Sequence, residues 1–206
     1  PRSRAHHRPC HRHEGAADCM RIIAGTHRGT RLADVGAGDE AAHLRPTSDR
    51  VRESLFNVLQ GGRFGDAVRG ARVLDLFAGT GALGLEALSR GAVHATFVDN
   101  GGAAQALIRA NIAKLRRERD TQLILTSAVA IPAGQPCDLV FLDPPYGMAL
   151  GHAALDAALR QGWIAPGALI VWEEGRGQVA PQGFTVQDQR RYGDTFVTLM
   201  RRDQAG

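Results

Sequence analysis

At 206 residues, with 44% apolar and 22% charged side chains, the chain is long enough to bury a real core and is expected to form one domain of ordinary size with a short appendage. A net charge of +4 and a pI near 9.5 favour polyanionic partners without naming one. No apolar run reaches the roughly 18 residues of a membrane helix, and Cys10, Cys19 and Cys137 are too few and too scattered for a disulfide framework; both points argue against helical membrane and small secreted classes and fit a reducing cytoplasm.

Residues 1–19, "PRSRAHHRPCHRHEGAADC", hold four arginines and four histidines and no apolar periodicity. They read as a disordered basic leader rather than a secretory signal, which would need an apolar stretch. Cys10, His13 and Cys19, with His6 or His7, match no compact zinc spacing, so no metal site is expected. Met20 is expected to be the natural start. The segment that follows, "MRIIAGTHRGTRLADV", reads as a strand over residues 21–24, a turn over 25–29 and a second strand over 30–35. Arg21, His27, Arg28 and Arg31 make this hairpin basic. It is either a solvated edge or a grip for phosphates.

In "LRPTSDRVRESLFNVL", Thr47 or Ser48 can cap a helix with Asp49 in its first turn. Val51, Leu55, Val58 and Leu59 share one face at helical spacing. Arg45, Arg50 and Arg52 add positive charge, and Gly61-Gly62 ends the segment.

From residue 72 onward strands and helices alternate. Strands are expected at 72–76, 94–99, 123–127, 138–142 and 168–172, with helices at 81–89, 103–116 and 151–160. A terminal hairpin at 184–189 and 195–201 turns at "RRYGD". Repeated β-α-β units imply a mostly parallel sheet with helices on both faces. Ligands in such sheets bind beyond the carboxyl ends of the strands.

Three stretches at those ends carry chemistry. In "DLFAGTGALGLEAL", Gly79, Gly81 and Gly84 form G-x-G-x-x-G between a strand and a helix, a pattern shared by several nucleotide binders. Asp75, four residues before Gly79, would repel a pyrophosphate and suit a cationic ligand such as S-adenosylmethionine, with its ammonium and sulfonium. Asp99 ends the next strand, 18 residues after Gly81, where a carboxylate can take ribose hydroxyls. In "FLDPPYGM", Pro144 and Pro145 remove two N–H donors and leave the Asp143 carboxylate and the backbone carbonyls as acceptors. An exocyclic base amine is a two-proton donor. Accepting both protons steers its lone pair toward an incoming methyl group, while Tyr146 can stack on the base for roughly 1–3 kcal/mol. The plain alternatives are a strand-end turn for each aspartate and a proline turn for "DPPY"; their co-occurrence favours methyl transfer to an amine.

"VLDLFAGTGALGLEALSRGA" with "DLVFLDPPYG" resembles the S-adenosylmethionine-dependent amino-methyltransferases. "MRIIAGTHRGTRL" with "LRPTSDRVRESLFNVL" narrows the resemblance to the RsmD-type 16S rRNA (guanine-N2)-methyltransferases, from Met20 to about Arg201. The resemblance implies a Rossmann-like class I fold with a seven-stranded sheet, flanked by an N-terminal hairpin and helix (residues 20–62) beside the core (72–201). It implies transfer to guanine N2 in 16S rRNA of the small ribosomal subunit by a cytoplasmic monomer. Asp75, Gly79 and Gly81 would hold the methionine end of the cofactor and Asp99 the ribose, with Phe77 and Asn100 also in the cofactor site, and Asp143, Pro144, Pro145 and Tyr146 would hold the amine. Arg21, Arg28, Arg31, Arg45, Thr47 and Arg50 would meet RNA. The family often has an acid after the third strand, at the adenine contact; here the stretch is "TSAVA", so Ser127 or the Ala128 backbone would serve. Two rivals stay open: an adenine-N6 methyltransferase, and a binding module that kept the fold without catalysis.

Overall fold

The computed structural model describes residues 20–34 and 47–204. The expected leader, residues 1–19, and Arg45 lie outside the described residues.

Helix α1 (Asp49–Leu59) starts where the capping residues predict: Ser48 Oγ accepts from Val51 N at 3.3 Å. The alternating region then gives β1 (Arg72–Leu76), α2 (Ala82–Ser89), β2 (His94–Asp99), α3 (Gly102–Leu115), β3 (Thr121–Leu125), β4 (Cys137–Leu142) and α4 (Leu150–Arg160). It closes with β5 (Ile164–Glu174), β6 (Phe184–Tyr192) and β7 (Thr195–Arg202). All seven strands join one sheet in the order β3-β2-β1-β4-β5-β7-β6. The pairs from β3 to β5 are parallel; β7 runs antiparallel between β5 and β6. The chain moves outward from β1 to β3 and returns to place β4 on the other side of β1. That reversal leaves a crevice beyond the carboxyl ends of the paired strands β1 and β4, the usual ligand site of such folds.

Strand alternation sends side chains to two cores. Val73, Leu139 and Phe141 meet α1, α2 and α3 through Phe56, Leu85 and Ile108. Leu74, Val140 and Leu142 meet α4 through Ala154, Leu155 and Ala158. Strand β5 is longer than the apolar run at 168–172 predicts: it begins at Ile164, paired with Cys137 of β4, and pairing with β7 carries it on to Glu174↔Phe196.

The N-terminal segment differs from the expected hairpin. Its two arms share a single antiparallel bridge, Arg21↔Arg31, with Leu32 N donating to Met20 O and Ile22 N to Thr30 O. Side chains of the helices hold it instead. The Glu86 carboxylate accepts from Ile23 N and Ala24 N at 2.8 and 3.0 Å. Ser89 Oγ accepts from His27 N, and Asn111 brackets Ala33, accepting from its N–H and donating to its carbonyl. Met20, Ile22 and Leu32 are buried in the same core as α1 and α2. No helix among the described residues is long and apolar enough to cross a membrane.

Candidate active site

A cleft of about 620 Å³ opens beyond the carboxyl ends of the central strands. Phe77 leaves β1 with a φ of 60°, uncommon for a residue other than glycine. This sharp exit puts Ala78 N on Val98 O at 3.1 Å and Gly79 N on Asp99 Oδ2 at 3.0 Å. Asp99 Oδ1 accepts from Gly101 N at 2.8 Å. One carboxylate therefore joins the loops after β1 and β2, and each of its oxygens retains a lone pair for a ligand. Gly81 caps α2 with a φ of 77°. A Cβ at Gly84 would lie 2.4 Å from the Phe97 ring, so α2 can approach β2 this closely only with glycine there.

Asp75 sits beneath the glycine loop, 2% exposed, and accepts from Gly84 N at 3.0 Å. No basic side chain pairs with it among the described residues. Burial pushes its carboxyl up to about 8; the Gly84 bond opposes the shift and the Asp99 charge adds to it. A buried acid without a cation is suited to a ligand that brings one.

The opposite wall is the Asp143–Tyr146 turn. Asp143, Pro144, Pro145 and Tyr146 line the cleft with Asp75, Phe77, Gly79, Asp99 and Asn100, so the expected cofactor and amine residues meet in one cavity. Burial raises the Asp143 carboxyl well above the usual carboxylate range; the charges of Glu173, then Asp75 and Glu174, raise it further. The Tyr146 ring is 44% exposed, and its hydroxyl shares a 2.8 Å hydrogen bond with Thr195 Oγ1. The ring is thus oriented from the β6–β7 turn, a partnership no local sequence signal reveals.

Other expected residues fall elsewhere. Gly81 shapes the loop without lining the cleft, and Ser127 and Ala128 begin the short turn after β3, also off the lining. Thr47 lines the cleft and donates to Glu173 Oε2 at 3.2 Å. Arg28, Arg31 and Arg50 are exposed. Arg21 is exposed but pairs with Asp49 at 3.1 Å. Arg50 lines a second, more open groove with Arg63 and Arg190, between α1 and β6.

Arg52, one of the three arginines that make this stretch positive, is turned inward. It is 1% exposed, pairs with Asp49 at 2.7 Å and approaches the fully buried Glu86 at 3.9 Å. Its guanidinium also donates to Arg21 O. Helical spacing puts it one position after Val51 and three before Leu55, at the margin of the apolar face, and the partner that draws it inward is 34 residues away in sequence. Sequence reasoning also missed Glu173, Tyr192 and Thr195, which line the cleft from β5 and the β6–β7 turn. Only their place at strand ends could have flagged them.

Comparison with known proteins agrees with this geometry. Residues 20–201 match the family described as Conserved hypothetical protein 95. The chain is 34% identical over 199 residues to Ribosomal RNA small subunit methyltransferase D of Escherichia coli (strain K12), covering 94% of this chain and 95% of that protein. It is 33% identical over 181 residues to the protein of the same name from Haemophilus influenzae, covering 84% and 89%. The solved structure of the Escherichia coli protein yhhF superposes with a TM-score of 0.77 at 34% identity, over 91% of this chain and 99% of that one. With the match spanning nearly everything from Met20 onward, the chain belongs to the Conserved hypothetical protein 95 family, the RsmD-type methyltransferases that its motifs resemble.

Proposed function

We propose that this chain transfers a methyl group from S-adenosylmethionine to the exocyclic N2 amine of a guanine in 16S rRNA, within the small ribosomal subunit or its precursor. The observation that carries the reading is the meeting of two half-sites in one cleft. A nucleoside half is built by Asp75, the glycine loop and Asp99; an amine half is built by Asp143, the two prolines and Tyr146.

The residues fit the cofactor chemically. Asp75 offers its ammonium a buried carboxyl with no basic partner among the described residues, whose ionised form the incoming cation favours, and Asp99 offers free lone pairs to its ribose. When bound, S-adenosylmethionine supplies an electrophilic methyl group on sulfur. The protein's part is to orient the nucleophile. Asp143 and the neighbouring carbonyl accept the two amine protons, which frees the nitrogen lone pair from conjugation with the ring. Tyr146 stacks on the base and offsets the few kcal/mol needed to take it out of a helix. The nitrogen becomes acidic only after it is methylated, and the Asp143 carboxylate is then adjacent to take the proton. The same reading makes residues 20–206 one methyltransferase domain, acting as a monomer in the cytoplasm.

Small-subunit particles from cells lacking this gene, incubated with the purified chain and labelled cofactor, should accept one methyl group per particle. Digestion should yield N2-methylguanosine. Recovery of N6-methyladenosine would overturn the guanine assignment and keep amine methylation. Absence of label in any RNA, with cofactor bound, would favour the binding-module alternative.

A further inference from the structure

No motif points to Glu173, yet it stands beside the amine site. Strands β4 and β5 run parallel with Leu142 opposite Trp172, so the next residues, Asp143 just past β4 and Glu173 still within β5, stand at the same level of neighbouring strands. Both line the cleft. Thr47 holds Glu173 Oε2 at 3.2 Å, and Glu173 makes no other hydrogen bond or ion pair among the described residues. Glu174, by contrast, accepts from Trp172 Nε1 at 3.3 Å and does not line the cleft.

Two carboxyls side by side in a half-buried cleft disfavour each other. Burial raises both, and Glu173 is the largest charge acting on Asp143. Such a pair becomes favourable when a ligand brings donors to both. The base edges differ in this respect. Guanine places the N1–H donor next to its amine. Adenine and cytosine place a bare ring nitrogen there, and its lone pair would face the acceptor oxygens of Glu173 in its ionised form, the form that an N1–H donor favours.

We propose that Glu173 accepts the N1–H of the target guanine while Asp143 holds the N2 amine, so that the two carboxylates together select guanine among the amino bases. Thr47 is the positioning residue that aims Glu173. This rests on the amine-methylation reading above. It adds the residue that decides which base is methylated.

The test uses small-subunit particles reconstituted with 16S rRNA that carries either guanosine or 2-aminopurine riboside at the methylated position. 2-Aminopurine keeps the amine at C2 and has a bare N1. Wild-type protein should methylate guanine about 10- to 150-fold faster, the worth of one charge-assisted hydrogen bond. Glu173→Gln should slow the guanine reaction several-fold, since its carbonyl still accepts N1–H but without the charge, and speed the 2-aminopurine reaction, since the amide can also donate to N1; the ratio should fall toward one. Its affinity for S-adenosylmethionine, by calorimetry, should match the wild type, which also shows that the variant is folded. An unchanged ratio in Glu173→Gln, with both rates reduced alike, overturns the proposal. So does a wild-type ratio near one, whatever the variant does. Failure of the wild type to methylate guanine at all overturns the amine-methylation reading, and this inference with it.

Discussion

Asp75 combines a strand-end position with complete burial, and its titration should be visible in the whole protein. Its carboxyl is raised to about 8 in the folded state, against about 3.9 in an unfolded chain. The folded state therefore binds this proton more tightly. The resulting stability is full below about pH 4 and is lost as pH rises through 8. Asp143 and Glu173 are raised as well and act in the same direction. The expected outcome is a melting temperature that falls between pH 6 and pH 9 without cofactor, with a smaller fall in Asp75→Asn. Thermal melts across that range check it, and an identical fall in the variant would assign the effect to other groups. Tyr146 gives a second prediction. Because Thr195 holds its hydroxyl, Tyr146→Phe should lose a few-fold in kcat/KM through looser ring placement, with about 1 kcal/mol at stake. Tyr146→Ala should lose more, roughly 10- to 100-fold, through lost stacking. Equal losses in single-turnover assays would mean that the hydroxyl, and not the ring face, carries the role.

The N-terminal segment is held less by strand pairing than by polar side chains of α2 and α3. Glu86 is the centre of that arrangement: it is fully buried, accepts two backbone N–H groups, pairs with Arg90 at 2.7 Å and faces Arg52. Removing one member of a buried ion pair leaves the other charge uncompensated, at a cost of about 3–5 kcal/mol. Glu86 would keep Arg90 and its two backbone N–H groups, so Arg52→Ala should lower stability by less than that, about 1–3 kcal/mol, measured as a shift in denaturant midpoint. The salt dependence of RNA binding should stay as in wild type, because Arg52 is turned inward. A stable variant with weakened, less salt-sensitive binding would return Arg52 to the set of phosphate contacts. The same packing explains Gly25, whose φ is 83° and whose Cβ would fall 1.8 Å from Ser89 O. The segment crosses α2 at backbone contact distance, which positions Met20 against Thr80 at the cleft margin.

For the molecule as a whole, exposed arginines are spread over the surface, and some of them lie on the N-terminal loop and beside α1. Arg28 and Arg31 on the N-terminal loop and Arg50, Arg63 and Arg190 along the groove between α1 and β6 are exposed. If they meet RNA phosphates, affinity should fall with salt by about 0.7–0.9 log units per log unit of salt for each contact. Arg28→Glu with Arg31→Glu should reduce that slope by about two such steps and leave the identity of the methylated base unchanged, because phosphate contacts position the strand without reading it. Filter-binding titrations at several salt concentrations check the slope, and nucleoside analysis checks the base. A shifted methylation site in the double variant would show that the loop contributes to sequence choice.

The order of elements from residue 72 to 202 could be read from the sequence because the central strands β1, β2 and β4 are short apolar runs followed closely by glycine or an acid, and segments with helical spacing of apolar residues separate the strands. Local periodicity alone therefore places β1 at residues 72–76 and β2 at 94–99. The same holds for Asp75, Asp99 and Asp143: the β-α-β order puts the crevice beyond the carboxyl ends of the strands, which makes the acids there the ones to inspect, although Glu174 at the end of β5 does not line it. Three things depend on contacts distant in sequence. The N-terminal segment reads as a hairpin because its residues favour strands, but its backbone N–H groups find better acceptors in Glu86, Ser89 and Asn111, 62 to 78 residues away. Arg52 reads only as positive charge beside the apolar face until the packing of α1 brings it to Glu86. Glu173 and Thr195 become site residues because β5 lies in register with β4 and β7 inserts antiparallel beside it; strand order is set by how the whole sheet packs, and no short stretch of sequence encodes it.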